Sequence, residues 1–181
     1  IAKHMGIKIR HYRYFDDAAS NVDFAAMMED LSEIGEQDVL MLHGCCHNPT
    51  GANLDSDQWA AVTDLVLEKG AIPFIDIAYQ GFGDGLDEDA ANLRSMAALV
   101  PEMLIAASCS KNFGLYRDRV GCAMAICDSA EKHAVVTRNL AVLNRLNYSF
   151  APDHGAAVVG IILEDAHLRA MWETELANMR E

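Results

Sequence analysis

Lys111 stands just past the apolar run 103–107, with Ser108, Cys109 and Ser110 before it and Asn112, Phe113 and Gly114 after it. Lysine is seldom drawn toward a buried strand without a reason, and a desolvated amine condenses readily with an aldehyde to give a Schiff base. Alone, the pattern reads as a solvated loop lysine. Two other stretches change that reading. His47-Asn48-Pro49-Thr50-Gly51 follows the apolar run 39–42, and Asp76-Ile77-Ala78-Tyr79-Gln80-Gly81-Phe82 closes the run 72–77. Taken singly, Asn48 is a turn residue, Asp76 a cap and Tyr79 a packing aromatic. Arg119 leads directly into another apolar run, 120–126, where a surface ion pair with Asp118 or Asp84 is the competing reading.

The elements that must position these residues alternate along the chain. Apolar runs predict strands over 7–14, 39–42, 72–77, 103–107 and 120–126. Helical periodicity predicts helices over 24–34, 55–69, 89–99 and 129–146, with Pro152 opening a further helix at its first turn. The helix at 55–69 carries both end signals: Asp55 with Gln58 forms a capping-box pattern, and Gly70 can terminate it. Leu168, Met171, Trp172, Leu176 and Met179 make the apolar stripe of a last helix. This alternation predicts an α/β fold, a three-layer αβα sandwich with a mostly parallel sheet. In such sheets ligands gather beyond the carboxyl ends of the strands. Asn48, Asp76 and Lys111 each follow a strand, so they predict one shared site. Asp84, Asp87, Glu88 and Asp89 read as a solvated acidic loop entering a helix.

The motifs together resemble the fold-type I pyridoxal-phosphate aminotransferases. His43-Gly44-Cys45-Cys46-His47-Asn48-Pro49-Thr50-Gly51 and Ser110-Lys111-Asn112-Phe113-Gly114-Leu115-Tyr116 are similar to the aspartate and aromatic amino acid branch in particular. The resemblance covers the whole chain, so residues 1–181 are expected to be the central part of the cofactor-binding large domain, truncated at both ends. It implies pyridoxal 5'-phosphate on Lys111, with Asp76 facing the pyridinium nitrogen and Asn48 and Tyr79 facing the phenolic oxygen. Ala78 would lie against the ring, and Ser108, Ser110 and Arg119 would grip the phosphate, for which an arginine fork and hydroxyl donors are suited. Lys111, Asp76 and Tyr79 are then the catalytic residues, and Asn48 also touches substrate. Arg145, before Asn147-Tyr148-Ser149, would bind the side-chain carboxylate of a dicarboxylic substrate across a homodimer interface; a solvated helix arginine is the open alternative. The implied reaction is ping-pong transfer of an amino group between an L-amino acid, aspartate first and aromatic second, and a 2-oxo acid such as 2-oxoglutarate.

The same resemblance places a glycine-rich phosphate loop, an aromatic ring over the cofactor and a partner-chain tyrosine upstream of Ile1. It places an arginine for the substrate α-carboxylate beyond Glu181. This stretch therefore carries half a site, and by itself is expected to turn over weakly or not at all.

Composition narrows the rivals. Hydrophobic residues make up 51% and charged residues 23% of 181, which suits a globular domain with a real core. A formal net charge of -13 argues against nucleic acid or anionic membrane partners. No run is long enough to span a bilayer and no signal peptide opens the chain, so a cytoplasmic location is expected. Cys45, Cys46, Cys109, Cys122 and Cys127 read as small buried thiols in a reducing compartment. His43, Cys45, Cys46 and His47 crowd one strand end, which suits tetrahedral zinc poorly. Two other functions stay open: a lyase or decarboxylase of the same fold type, and a catalytically incompetent fragment serving at most as a cofactor-binding or interaction module.

Overall fold

The computed structural model describes residues 2–181. Its main sheet has four strands, which lie side by side in chain order. Strands β3 (Val39–His43), β4 (Ile72–Ile77) and β5 (Met103–Ser108) are parallel, and β6 (Gly121–Ile126) runs antiparallel to β5. Helix α2 (Ser56–Lys69) carries the chain from β3 back to β4, and α3 (Glu88–Ala97) carries it from β4 to β5. Parallel neighbours need such crossovers. Between β5 and β6 no helix intervenes, so the chain turns back directly and the last pair is antiparallel. That helix-free connection holds Lys111.

Strand alternation decides what the sheet buries. Leu40, Leu42, Pro73, Ile75, Ile77, Met103 and Ile105 all point to one face and are buried. Register joins them across strands, with Leu42 opposite Ile75 and Ile75 opposite Ile105. Met27 and Leu31 of α1 (Phe24–Leu31), Trp59, Val62 and Val66 of α2, and Leu93 and Met96 of α3 close on this face as one cluster. Each large side chain so buried contributes about 2 kcal/mol. The opposite face is open at β3, where Val39 and Met41 are 53% and 50% exposed. His43, Asp76, Ala106 and Ala123 form one cross-strand row on that open face.

Local signals set the helix ends. The Asp55 carboxylate accepts from Gln58 N at 2.8 Å while Gln58 Oε1 accepts from Asp55 N at 3.0 Å. Gly70 ends α2 in the left-handed region at φ 66°, as a glycine after a helix can. Ser129 caps α4 (Ala130–Tyr148). Asp165 ends α5 (His154–Glu164) and caps α6 (Ala166–Arg180), accepting from His167 N and Leu168 N, both at 2.9 Å.

Three expectations are corrected. Residues 7–14 form no strand; the short pair β1 (Phe15–Asp16) and β2 (Asn21–Val22) comes instead. The segment is held by side chains: Tyr12 Oη donates to Met41 O and Tyr14 Oη to Ala52 O, each at 2.8 Å, and Arg13 pairs with Asp30 at 2.6 Å. Alternating Ile7 and Ile9 find no face to bury and stay about half exposed. Pro152 lies before α5 rather than in its first turn, because Asp153 takes the cap position. Asp89 is not solvated. It is 8% exposed, and its carboxylate accepts from Gly81 N at 2.7 Å, Gly83 N at 3.0 Å and Asp84 N at 2.8 Å. The loop curls its amides toward the start of α3, where a carboxylate is favoured.

Both Asp55 and Asp89 serve helix starts, but only Asp89 is buried. Asp89→Ala strands the buried Gly81 N–H and frees two part-buried ones at Gly83 and Asp84, and should cost about 3 kcal/mol, whereas Asp55→Ala should cost about 1 kcal/mol. Urea midpoints would check this; an equal loss from the two would refute the anchoring role of Asp89.

Candidate active site

The site is built where three parallel strands end together. Beyond β3, Gly44 N donates to Asp76 O at 2.8 Å and prolongs the ladder by one bond. The chain then turns, and Asn48 N donates to His43 Nδ1 at 3.2 Å. Thr50 Oγ1 bonds His47 Nδ1 at 2.8 Å, and the Asn48–Pro49 peptide is cis. His47 sits in a pile of rings, 4.2 Å from Tyr14 and 4.6 Å from His43. Burial, with His43 beside it, lowers the His47 pKa and favours the neutral ring.

This turn brings the Asn48 carboxamide to the Tyr79 hydroxyl, Nδ2 to Oη 3.4 Å. The Lys111 amine lies 4.6 Å from the centre of the Tyr79 ring. Asn48, Asp76, Ala78, Tyr79 and Lys111 line one pocket of about 110 Å³, together with His43 and Cys45. Five of the nine residues expected from the sequence thus meet in a single cavity.

Ser108 and Ser110 lie on the approach to Lys111. Their hydroxyls bond one another at 3.0 Å, and Ser110 N donates to Ser108 Oγ at 3.2 Å. Cys109 N donates to Val120 O at 3.0 Å, which sets Arg119 alongside this segment. Arg119 has φ 55°, and its guanidinium donates to Tyr116 O at 3.0 Å. Arg145 does not join the pocket. It is exposed on α4, bonds Ser149 Oγ at 3.4 Å and lies over the Phe150 ring.

Sequence reasoning passed over His43 as a pocket residue. Its signal was available: it closes an apolar strand at the position paired with Asp76. The cysteines also differ from expectation, since Cys122 is exposed and only Cys45 is fully buried, all five being free. Cys45 and Cys46 approach Asp89 within 4.8 Å, a set that leaves out both histidines. Burial, then the Asp89 charge, pushes both thiols up, so they stay protonated. Both oxygens of Asp89 are already taken by backbone amides.

A ring carrying an aldehyde, a phenolic oxygen, a basic nitrogen and a phosphate needs an amine, polar groups for the oxygen, a carboxylate and an anion-binding turn. Lys111, Asn48 with Tyr79, Asp76, and the Ser108–Ser110 turn beside Arg119 match that donor set, so the residues fit pyridoxal phosphate.

The comparisons with known proteins point the same way. The Aminotransferase class I and II family model matches residues 1–181. The aromatic-amino-acid aminotransferase of Paracoccus denitrificans is 52% identical over 180 residues, which cover 99% of this chain and 46% of that protein. The aspartate aminotransferase of Escherichia coli K12 is 46% identical over 177 residues, covering 97% of this chain and 44% of that protein. The chain therefore spans less than half the length of these relatives. Among solved structures, an aromatic amino acid aminotransferase with 3-indolebutyric acid superposes with a TM-score of 0.97 at 51% identity, over 99% of this chain and 45% of that one. The aromatic-amino-acid aminotransferase of Burkholderia pseudomallei, covalently bound to pyridoxal phosphate, gives 0.94 at 41% identity, over 98% and 45%. With its strand-end lysine, aspartate, asparagine and tyrosine in one pocket and a family match along its full length, the chain belongs to the class I and II aminotransferases.

Proposed function

We propose that the protein carrying this chain is a pyridoxal-phosphate-dependent aminotransferase, and that residues 1–181 are the central part of its cofactor-binding large domain. It moves an amino group between an L-amino acid, aspartate or aromatic, and a 2-oxo acid such as 2-oxoglutarate. The observation that carries this reading is the convergence of Lys111, Asp76, Tyr79 and Asn48 on one pocket. Relatives named for aspartate and for aromatic substrates support both substrate classes.

When bound, pyridoxal phosphate supplies an electron-withdrawing ring that spreads negative charge from the substrate α-carbon. The chain's own residues do the rest. Lys111 would hold the cofactor through its amine, and the same amine, when free, would hold or move the proton at the substrate α-carbon. Asp76 holds a proton on the ring nitrogen by its negative charge. Asn48 and Tyr79, already within reach of one another, donate to the phenolic oxygen. Ala78 leaves room for the flat ring. Ser108, Ser110 and Arg119, whose guanidinium now donates to Tyr116 O, would hold the phosphate, the arginine by a charge-assisted bond. Arg145 reaches a substrate carboxylate in the second protomer of a homodimer, which suits its exposure and its distance from this chain's own pocket. A cytoplasmic location belongs to the same reading. It is consistent with the described residues, in which no helix is long and apolar enough to cross a membrane.

Three outcomes test this. With pyridoxal phosphate added and the excess removed, the wild-type protein should retain a visible absorbance band that is lost in Lys111→Ala; an equal band in both would remove Lys111 from its role. Asp76→Ala should lower kcat on the order of 100-fold, read by steady-state kinetics; a loss below threefold would count against the ring-nitrogen contact. Arg145→Ala should raise KM for aspartate at least about tenfold and leave an aromatic substrate within about twofold. Equal changes for both substrates would return Arg145 to a plain surface role.

A further inference from the structure

We propose that α6 is a clamp that sets the place of Lys111, with Trp172 as the positioning residue; this rests on the reading of Lys111 as the cofactor lysine. Trp172 Nε1 donates to the backbone oxygen of Asn112, the residue after Lys111, at 2.6 Å. Its ring stacks on Phe113 with centres 4.3 Å apart and planes 10° from parallel. The same helix grips the loop beyond Tyr79. Leu176 is buried against Gly81, where an added Cβ would clash with Leu176 Cδ2. Arg180 Nη1 donates to Gly81 O at 3.1 Å.

Trp172, Leu176 and Arg180 are spaced four apart, so they form one stripe along the helix. Its first member holds the lysine loop and its other two hold the tyrosine loop. The two loops also meet directly, since Asn112 Nδ2 donates to Gln80 O at 3.2 Å. Asn112 is buried, and its Oδ1 has no hydrogen-bond partner among the described residues, so this one bond fixes its carboxamide. From the other side, the Asp89 carboxylate takes Gly81 N. Backbone groups at 112 and 81 are thus held by α6 and α3, while the nearby side chains of Lys111 and Tyr79 line the pocket. A displacement of about 1 Å at a reacting amine can cost on the order of 100-fold in rate, so a rigid seat for this loop matters to the chemistry.

The test uses the holoenzyme. Trp172→Phe keeps the stack on Phe113 and removes the N–H donor. Expected are a kcat about fivefold lower with KM within about twofold, and amide hydrogen exchange about fivefold faster at 112–114. The visible circular dichroism per bound cofactor should also weaken, because it reports the ring's orientation against its lysine. Met171→Ala, on the exposed side one residue earlier, should leave all three readouts at wild-type values. Wild-type kcat, ellipticity and exchange in Trp172→Phe would overturn the proposal. Should that variant not fold, Arg180→Ala decides: faster exchange at 81–83 supports the clamp, and unchanged exchange overturns it. Retention of the covalent band in Lys111→Ala would defeat the cofactor reading alone, since the exchange readout still settles whether α6 holds the loops.

Discussion

A one-residue slip of β4 against its neighbours would put Asp76 where Ile75 or Ile77 now lies. Side chains alternate along a strand, so such a slip exchanges the two faces entirely. It would drive a carboxylate into the cluster formed by Leu42, Trp59 and Met96 and turn two isoleucines to the open face. An unpaired buried charge costs several kcal/mol, and losing each isoleucine from the core costs about 2 kcal/mol more. The apolar face of the sheet therefore holds the register, and the register holds the site. His43, Asp76 and Ala106 stand in one row because Leu42, Ile75 and Ile105 stand in the next.

The loops beyond those strand ends are held in another way. Beside some apolar packing, such as Trp172 on Phe113 and Leu176 on Gly81, they are set by polar contacts to their backbones. Asp89 gathers three amides of the 81–84 turn, Trp172 and Arg180 take carbonyls at 112 and 81, and His43 takes the amide of Asn48. Attaching the backbone leaves the side chains of Asn48, Tyr79 and Lys111 free to converge. This division suits a cofactor site, which needs precise positions but polar groups with bonding capacity to spare. The protonated thiols of Cys45 and Cys46 add bulk to this corner without adding charge.

Several elements could be read directly from residue order. The helix Ser56–Lys69 starts and stops where Asp55, Gln58 and Gly70 say it should, because caps act within a single turn. Strand β4 has the predicted bounds because its apolar alternation is interrupted on both sides. Asn48, Asp76, Ala78, Tyr79 and Lys111 could be grouped because each sits at or just past a strand end, and parallel strands joined by helices end on the same side. Residues 7–14 show the limit of such patterns. Their alternation resembles a strand, yet a strand exists only where another offers its unpaired backbone, and side-chain bonds to Asp30, Met41 and Ala52 hold this segment instead.

Residue order alone thus carried the four strands of the main sheet and the caps of Ser56–Lys69, which neighbours a few positions apart set, and it grouped the strand-end residues by their place after those strands. It carried neither the burial of Asp89 nor the bond from α6 to the loop after Lys111. Asp89 looks like its acidic neighbours until the turn before it folds back and presents three amides. Trp172 looks like one more apolar residue on a stripe until the chain has crossed the sheet and returned to the lysine loop. The Trp172 contact spans 60 residues of sequence, and neither it nor the folding of the 81–84 turn onto Asp89 leaves a periodic trace. They arise only when the core has fixed the strand ends and left the loops one arrangement that satisfies their polar backbone.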